Sequence, residues 1–242
     1  MESKEFRYTG DELDFFDKAY NWKKYYVFLS HKYFESSSNV LEVGAGIGGL
    51  TKVITKKVNF KKWTCIEPDK LNFSKLKKNI KNLQNHGLFY FENSDINIFL
   101  NKAECYDVIL LADVLEHIQN DKDILNNLYH HLNPGGKIII FVPACQFLYS
   151  FFDSQIGHFR RYSLSTLSYI VPAKSRLLAA KYIDSCGFFA SLFNKLFLKS
   201  SNPSLKQVLF WDRIIVRSSR FFDRLLFYKF GKNIFLTISK EI

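Results

Sequence analysis

The chain lacks most of what marks a secreted, metal-stapled or membrane-spanning protein. Its 242 residues include four cysteines, Cys65, Cys105, Cys145 and Cys186, scattered and with no CxxC pair. That spacing excludes a disulfide framework and a cysteine-based zinc site, and points to a reduced, cytoplasmic protein. The opening "MESKEFRYTGDELD" is polar and acidic, unlike a signal peptide. The longest apolar stretch, "IIIFVPACQFLYSFF", carries a Pro and a Gln and is too short to cross a bilayer comfortably. Repeats, low-complexity tracts and linker-like breaks are missing. The expectation is therefore one domain over residues 1–242, soluble or at most resting on a membrane surface.

What is present is an ample apolar fraction, 47%, which excludes disorder. Positive charge is abundant and unevenly placed. Residues 1–144 hold 19 Lys+Arg and 18 Asp+Glu, a balance of +1, whereas residues 145–242 hold 15 and 5, a balance of +10. Such asymmetry suggests an anionic partner: phosphate, nucleotide, acidic glycan or lipid headgroup.

A helical period runs from about Gly10 to Phe34, with Phe15, Ala19, Trp22, Tyr26 and Leu29 at steps of three and four. Strand-like runs follow at Val40–Val43, Trp63–Glu67, Leu88–Phe91, Val108–Ala112 and Lys137–Val142. Helix-like segments lie near 49–57, 70–84, 95–101 and 120–131. Near-continuous apolar strands separated by helices predict a parallel sheet covered on both faces. "LNPGGK", 132–137, reads as a helix stop and turn. Beyond Pro143 the alternation breaks. A short helix near 163–170, a strand near 176–184, a mostly helical and amphipathic 187–229 and a final strand over 233–240 are expected. The domain thus divides into an N-terminal helical lid (1–36), a core (37–145) and a capping region (146–242).

"NVLEVGAGIGGLTKVI" turns an apolar strand through Gly44, Gly46 and Gly48 into a helix. Glycines at such a turn permit positive φ and close approach of a ligand, yet dinucleotides and S-adenosylmethionine both use them. Five features separate the two. Glu42 stands two residues before the first glycine, where a carboxylate attracts an ammonium and repels a pyrophosphate. "CIEPD" puts Glu67 and Pro68 after the second strand, suited to ribose hydroxyls. "NSDI" puts Asp95 and Ile96 beyond the third strand, suited to an adenine amino group. "YDVILLADVLEHI" puts Asp113 at the tip of the fourth, and "NPGGKIII" introduces the fifth.

As a set, over residues 38–145, these features resemble the class I S-adenosylmethionine-dependent methyltransferases. The resemblance implies a Rossmann-like, seven-stranded, mostly parallel α/β sheet, with an N-terminal helix and a helical insertion before the last strand. It implies S-adenosylmethionine as cofactor, held by Glu42, Gly44, Ala45, Gly46, Glu67, Pro68, Asp95, Ile96 and Asp113. "YNWKKYY", "DVLEHI", "PACQFLYSFFDSQIGHFRRYS", "FWDRIIV" and "GKNIFLTISK" further resemble one bacterial subfamily grouped with glycan-assembly enzymes.

The donor's sulfonium is already activated, so the protein has to align an acceptor lone pair. An oxygen acceptor must also lose a proton. His117, His158 and Asp113 are the candidate catalytic groups. "GHFRRYS" packs His158, Arg160, Arg161 and Tyr162 into five positions. One arginine is expected to meet an acceptor anion while the other pins Asp153 or a helix end. With Trp22 as a pocket wall, these form the expected acceptor site. The acceptor is then a small molecule or glycan bearing phosphate or carboxylate, methylated at oxygen or nitrogen. The helices of 187–229 either cap it or rest on an anionic membrane. The alternative is an RNA methyltransferase, since "VLEVGAGIGGLT" is similar to the glycine loop of ribosomal RNA adenine dimethyltransferases. Their Asn/Asp-Pro/Leu-Pro-Tyr/Phe signature is replaced here by "ADVLEH", which disfavours adenine N6 chemistry, and DNA is not expected. A non-catalytic binding module is a third reading, against which the intact donor set argues. No clustered Asp/Glu/His set is evident in the sequence, so no metal is expected.

Overall fold

Apolar side chains at consecutive strand positions bury both faces of one sheet. The computed structural model describes residues 12–34, 38–81, 83, 88–198 and 203–241. Its strands are β1 (Ser38–Val43), β2 (Phe60–Ile66), β3 (Leu88–Glu92), β4 (Tyr106–Ala112), β5 (Leu132–Pro143), β6 (Ser175–Ile183) and β7 (Asn233–Lys240). They lie side by side in the order β3-β2-β1-β4-β5-β7-β6. All pairings are parallel except those of β7, which runs antiparallel between β5 and β6.

The two-residue period of a strand explains why the runs are apolar throughout. Val40, Val108, Leu110, Ile139 and Phe141 face one core, with Trp22, Tyr25 and Tyr26. Leu41, Val43, Ile109, Leu111, Ile138 and Ile140 face the other, with Ile124, Leu125 and Leu128. Helices therefore cover both faces, as the sequence predicts.

The expected N-terminal helix is two, α1 (Glu12–Asp17) and α2 (Tyr20–Ser30), broken at Lys18 and Ala19. Residues 10 and 11 of that expectation lie outside the described residues. So do residues 82 and 84 of the helix expected over 70–84. The core helices are α3 (Gly49–Ile54), α4 (Lys70–Ile80), α5 (Ile96–Phe99) and α6 (Asp121–His130). After β5 come α7 (Phe151–Gln155) and α8 (Leu164–Ile170). The "LNPGGK" segment opens β5: Leu132 pairs with Tyr106, the chain bulges, and pairing resumes at Lys137 opposite Val108.

Between β6 and β7 lies the expected helical insertion, α9 (Ser185–Phe193), α10 (Leu205–Phe210) and α11 (Val216–Leu225). A π-helical turn, Trp211–Ile215, joins the last two. Its Asp212 is buried, and its carboxylate accepts from Asn21 N (3.2 Å), Asn21 Nδ2 (2.9 Å) and Trp22 N (2.9 Å). The insertion thereby caps the start of α2, satisfying amides that a helix leaves unpaired at its N-terminus. Asp223 works likewise, accepting from Tyr25 Oη at 2.7 Å and from the backbone of Asp184 and Ser185 at 2.8 Å each. The N-terminal helix and the insertion are thus bonded directly to each other.

Candidate active site

The carboxyl ends of the parallel strands open into a cavity of about 1100 Å³. Its wall includes the loop after β1, Glu67 after β2, Asp95 after β3, and Asp113 and Glu116 after β4. This is where open α/β sheets bind ligands.

The loop after β1 needs its glycines for packing. Gly44 has φ +64°, and a Cβ there would fall 2.7 Å from Val114 Cγ2. Gly48, at φ +82°, lets α3 lie against Leu76 and Ile80 of α4. Glu67 ties the loop to β2, accepting from Gly46 N at 2.8 Å and Asp69 N at 3.1 Å. Burial pushes its carboxyl up to about 7, against the hydrogen bonds from Asp69 and Gly46.

Glu42 is buried beneath the loop. Its Oε2 accepts from Trp63 Nε1 (2.7 Å) and Thr51 Oγ1 (2.9 Å), with Cys65 Sγ at 3.8 Å. Burial pushes this carboxyl up to about 7 despite those bonds. Asp95 caps α5, accepting from Asn97 N and Asn97 Nδ2 at 2.8 Å each. It remains exposed at the lip.

Asp113 turns the chain at the tip of β4 with φ +55°. Its carboxylate accepts from Tyr26 Oη at 3.0 and 3.2 Å, and Tyr26 stacks on Phe141 with ring centroids 3.8 Å apart. Enclosing protein pushes Asp113 up to about 6, while Tyr26, His158 and Lys232 pull the other way. Trp22, its ring tilted against Tyr26 at 4.6 Å and Trp211 at 5.2 Å between centroids, forms the adjoining wall.

Beyond Asp113 stands an acid–imidazole cluster. The His117 and His158 rings meet edge to face at 4.6 Å. His158 Nδ1 lies 2.9 Å from Asp153 Oδ1, and its Nε2 lies 3.8 Å from Glu116 Oε1. Burial would raise Asp153, but bonds from His158, Arg161 and Ser150 hold it well below the usual carboxylate range. An ionised Asp153 accepts, so His158 Nδ1 donates to it and Nε2 faces the cluster. Burial, and then His158, push His117 down to about 3, keeping that imidazole neutral. Burial and then Asp113 push Glu116 well above its ordinary value.

Residues 41–138 match the family described as "Methyltransferase domain". A Dictyostelium discoideum mitochondrial ubiquinone biosynthesis O-methyltransferase is 29% identical over 110 residues, covering 42% of this chain and 34% of that protein. A compactin nonaketide synthase, polyketide synthase component, from Penicillium citrinum is 29% identical over 119 residues, covering 47% of this chain and 4% of that protein. The chain thus spans about a third or less of these curated relatives. The crystal structure of coclaurine N-methyltransferase, bound to N-methylheliamine and SAH, shares the fold at 16% identity. Its TM-score is 0.62, with 90% of this chain and 72% of that one covered. The core thus matches a methyltransferase domain, on the fold of an N-methyltransferase crystallised with SAH.

The chemistry of the site fits this methyltransferase donor. A nucleoside needs acceptors for ribose hydroxyls and an amino group, and Glu67 and Asp95 stand at successive strand ends beside the glycine turn. Glu42, Gly44, Ala45, Gly46, Pro68, Ile96 and Asp113 line the same cavity, as do Trp22, His117, His158 and Arg161.

Arg160 and Tyr162 do not line it, which corrects their expected acceptor role. Arg160 Nη1 donates to Asp121 Oδ2 at 2.5 Å and Nη2 to Gln119 O at 2.9 Å. Tyr162 Oη donates to the same Asp121 oxygen at 2.7 Å, deep in the core. Arg161 pins Asp153 with two bonds, 2.9 and 3.0 Å, so its charge is already matched.

Two cavity residues carry no mark in the sequence: Glu116 sits inside "DVLEHI", and Lys232 is one of many basic residues near the C-terminus. Lys232 is half-buried, with Nζ 5.4 Å from the Trp211 ring centre. Burial, opposed by Asp184, pulls its ammonium below the ordinary value. The expectation that no Asp/Glu/His set clusters is also corrected: Glu116, His117 and His158 come together from two distant stretches.

Proposed function

We propose that the chain transfers a methyl group from S-adenosylmethionine to an oxygen or nitrogen of an anionic small-molecule or glycan-type acceptor, in the reducing cytoplasm. One arrangement carries this reading: nucleoside-type acceptors and an acid–imidazole cluster share a single cavity. When bound, the donor supplies a methyl group on a positively charged sulfur. Glu67 accepts the ribose hydroxyls, Asp95 the adenine amino group, and Asp113, held by Tyr26, the methionine ammonium. Glu42 acts from below, fixing the loop through Thr51 and Trp63. Trp22 and Tyr26 exclude water and restrict the acceptor's approach.

His158 Nε2, its tautomer set by Asp153, takes the proton from an acceptor hydroxyl or ammonium. Lys232 reads the acceptor's negative charge. It lines the cavity half-buried, with Nζ 5.4 Å from the Trp211 ring centre, so an anion in the cavity would match its charge. Phe189, Phe193, Phe210 and Ile214, each more than half exposed on the insertion, favour acceptors presented at a lipid surface. Among the described residues no helix is long and apolar enough to cross a membrane.

Calorimetry with S-adenosylmethionine, followed by a labelled-methyl screen of nucleotide sugars and envelope glycolipids, tests the proposal. Absence of donor binding at millimolar concentration removes the enzymatic reading. For the acceptor found, Lys232→Met is expected to raise KM about tenfold or more, as loss of one charge-assisted bond does, with donor affinity unchanged. An unchanged KM removes Lys232 from recognition.

A further inference from the structure

The acid–imidazole cluster has a composition that hydrogen bonding alone does not explain. Glu116 is 1% exposed, and both its carboxylate oxygens are buried without a hydrogen-bond partner. Its Oε1 faces His158 Nε2 at 3.8 Å. The Asp153 bond occupies Nδ1, which leaves Nε2 facing a buried carboxylate that has no hydrogen-bond partner. A carboxylate so placed needs a proton or a cation beside it. Glu116, His117 and His158 each offer one ligand atom, and the three atoms lie within 4.8 Å of one another.

We propose that Glu116, His117 and His158 bind a divalent first-row transition cation. Two imidazoles and one carboxylate on a single ion, with further positions open, suit zinc, iron, cobalt or manganese better than calcium. Ligand distances of about 2.0–2.2 Å require the three side chains to draw in slightly. The outer shell is already built. His158 is fixed through Nδ1 by Asp153, which is held by Arg161 Nε (2.9 Å), Arg161 Nη2 (3.0 Å) and Ser150 Oγ (2.8 Å). A carboxylate behind a ligating histidine sets its tautomer and strengthens it as a donor. This also gives the purely internal Arg161 a purpose. Glu116, His117 and His158 all line the cavity, so the open positions of the ion face the acceptor. Only this last role rests on the methyl-transfer reading; with an ion bound, His158 Nε2 is a ligand and no longer a free base, and the ion instead polarises an oxygen acceptor.

The test uses the full chain, stripped with a chelator. Zn²⁺ binding is followed by calorimetry and Co²⁺ binding by visible absorption. One equivalent per chain is expected, with the intense absorption of a low-symmetry nitrogen–oxygen site. Glu116→Gln, His117→Ala and His158→Ala should each weaken binding by about 10–100-fold or more, while His130→Ala leaves it intact. Circular dichroism and calorimetry with S-adenosylmethionine are run on each protein. Folded wild type that takes up no stoichiometric cation overturns the proposal. So does full affinity in folded Glu116→Gln, which preserves the side chain's shape. Donor binding without cation binding removes the metal site and leaves the methyltransferase reading. Cation binding without donor binding does the reverse.

Discussion

Glu42 gives a measurable consequence of placing a carboxyl under the glycine loop. It is 3% exposed and pushed up to about 7 from an ordinary 4.5. Because the folded state holds the proton more tightly than the unfolded chain, folding is favoured at low pH. That contribution is fully present below about 4.5 and lost as pH rises through 7. Linkage over these two values gives a loss of about 2.5 kcal/mol between pH 5 and pH 8. Glu42→Gln keeps the shape and cannot ionise, so it should lack this slope. Urea unfolding of both proteins at pH 5, 6, 7 and 8, without donor, isolates the effect. All other titrating groups cancel in the difference between the two stabilities. The variant should gain on wild type by about 2.5 kcal/mol across the range. A difference constant to within about 0.5 kcal/mol refutes the reasoning. It would mean that Trp63 and Thr51 stabilise an ionised Glu42 as fully as water does.

Three further outcomes follow from the geometry. Gly44→Ala places a methyl 2.7 Å from Val114 at φ +64°, a strain of about 1–3 kcal/mol. It should weaken donor binding at least tenfold by calorimetry, with partial rescue by Val114→Ala. Arg161→Met leaves Asp153 ionised and buried and should cost about 3–5 kcal/mol in urea unfolding. An acceptor-binding defect in a protein of full stability would contradict the internal role. Asp212→Ala removes three bonds that start α2 and should cost about 2 kcal/mol. For a chain of this size that lowers Tm by about 4–8 °C, measured by circular dichroism.

The sheet was legible because a parallel strand buried on both faces is a continuous apolar run. "VLEV", "DVILLA" and "KIIIFV" can do little else. That Glu67, Asp95 and Asp113 share one cavity was legible for a related reason: loops at strand ends put them along one edge whatever the details of packing. The break between α1 and α2 was not, because the apolar steps through Phe15, Ala19 and Trp22 continue across it. Nor were the roles of "GHFRRYS". Asp121 and Asp153 are indistinguishable in sequence from solvated acids, so nothing marks Arg160 and Arg161 as already paired. The cluster of Glu116 with His158 depends on a loop returning over the tip of β4, which Phe159 N–Glu116 O at 2.8 Å holds. No local pattern encodes that contact.

The uneven charge of the sequence has a structural cause. Four of the five acidic residues in 145–242 are Asp153, Asp184, Asp212 and Asp223, and each is buried. Each is also consumed by the fold. Asp153 meets Arg161 and His158, and Asp212 caps α2. Asp184 accepts from Ser219 Oγ at 2.6 Å, Trp211 Nε1 at 3.0 Å and Gly187 N at 3.1 Å. Asp223 holds Tyr25 and the start of α9. In this region acid is spent on internal bonds, and Glu241 is the one acid left exposed. Most basic side chains of this region, Arg161 and Lys232 apart, remain outside, being long and strongly hydrated. The outward face thus carries arginine and lysine among exposed Phe210, Ile214, Phe221 and Leu225, with little acid to screen them. The joining of α2 to the insertion and the excess of exposed positive charge are two results of the same burial of aspartates. Converting Asp212 or Asp223 to alanine should therefore loosen that joint before it alters the field outside.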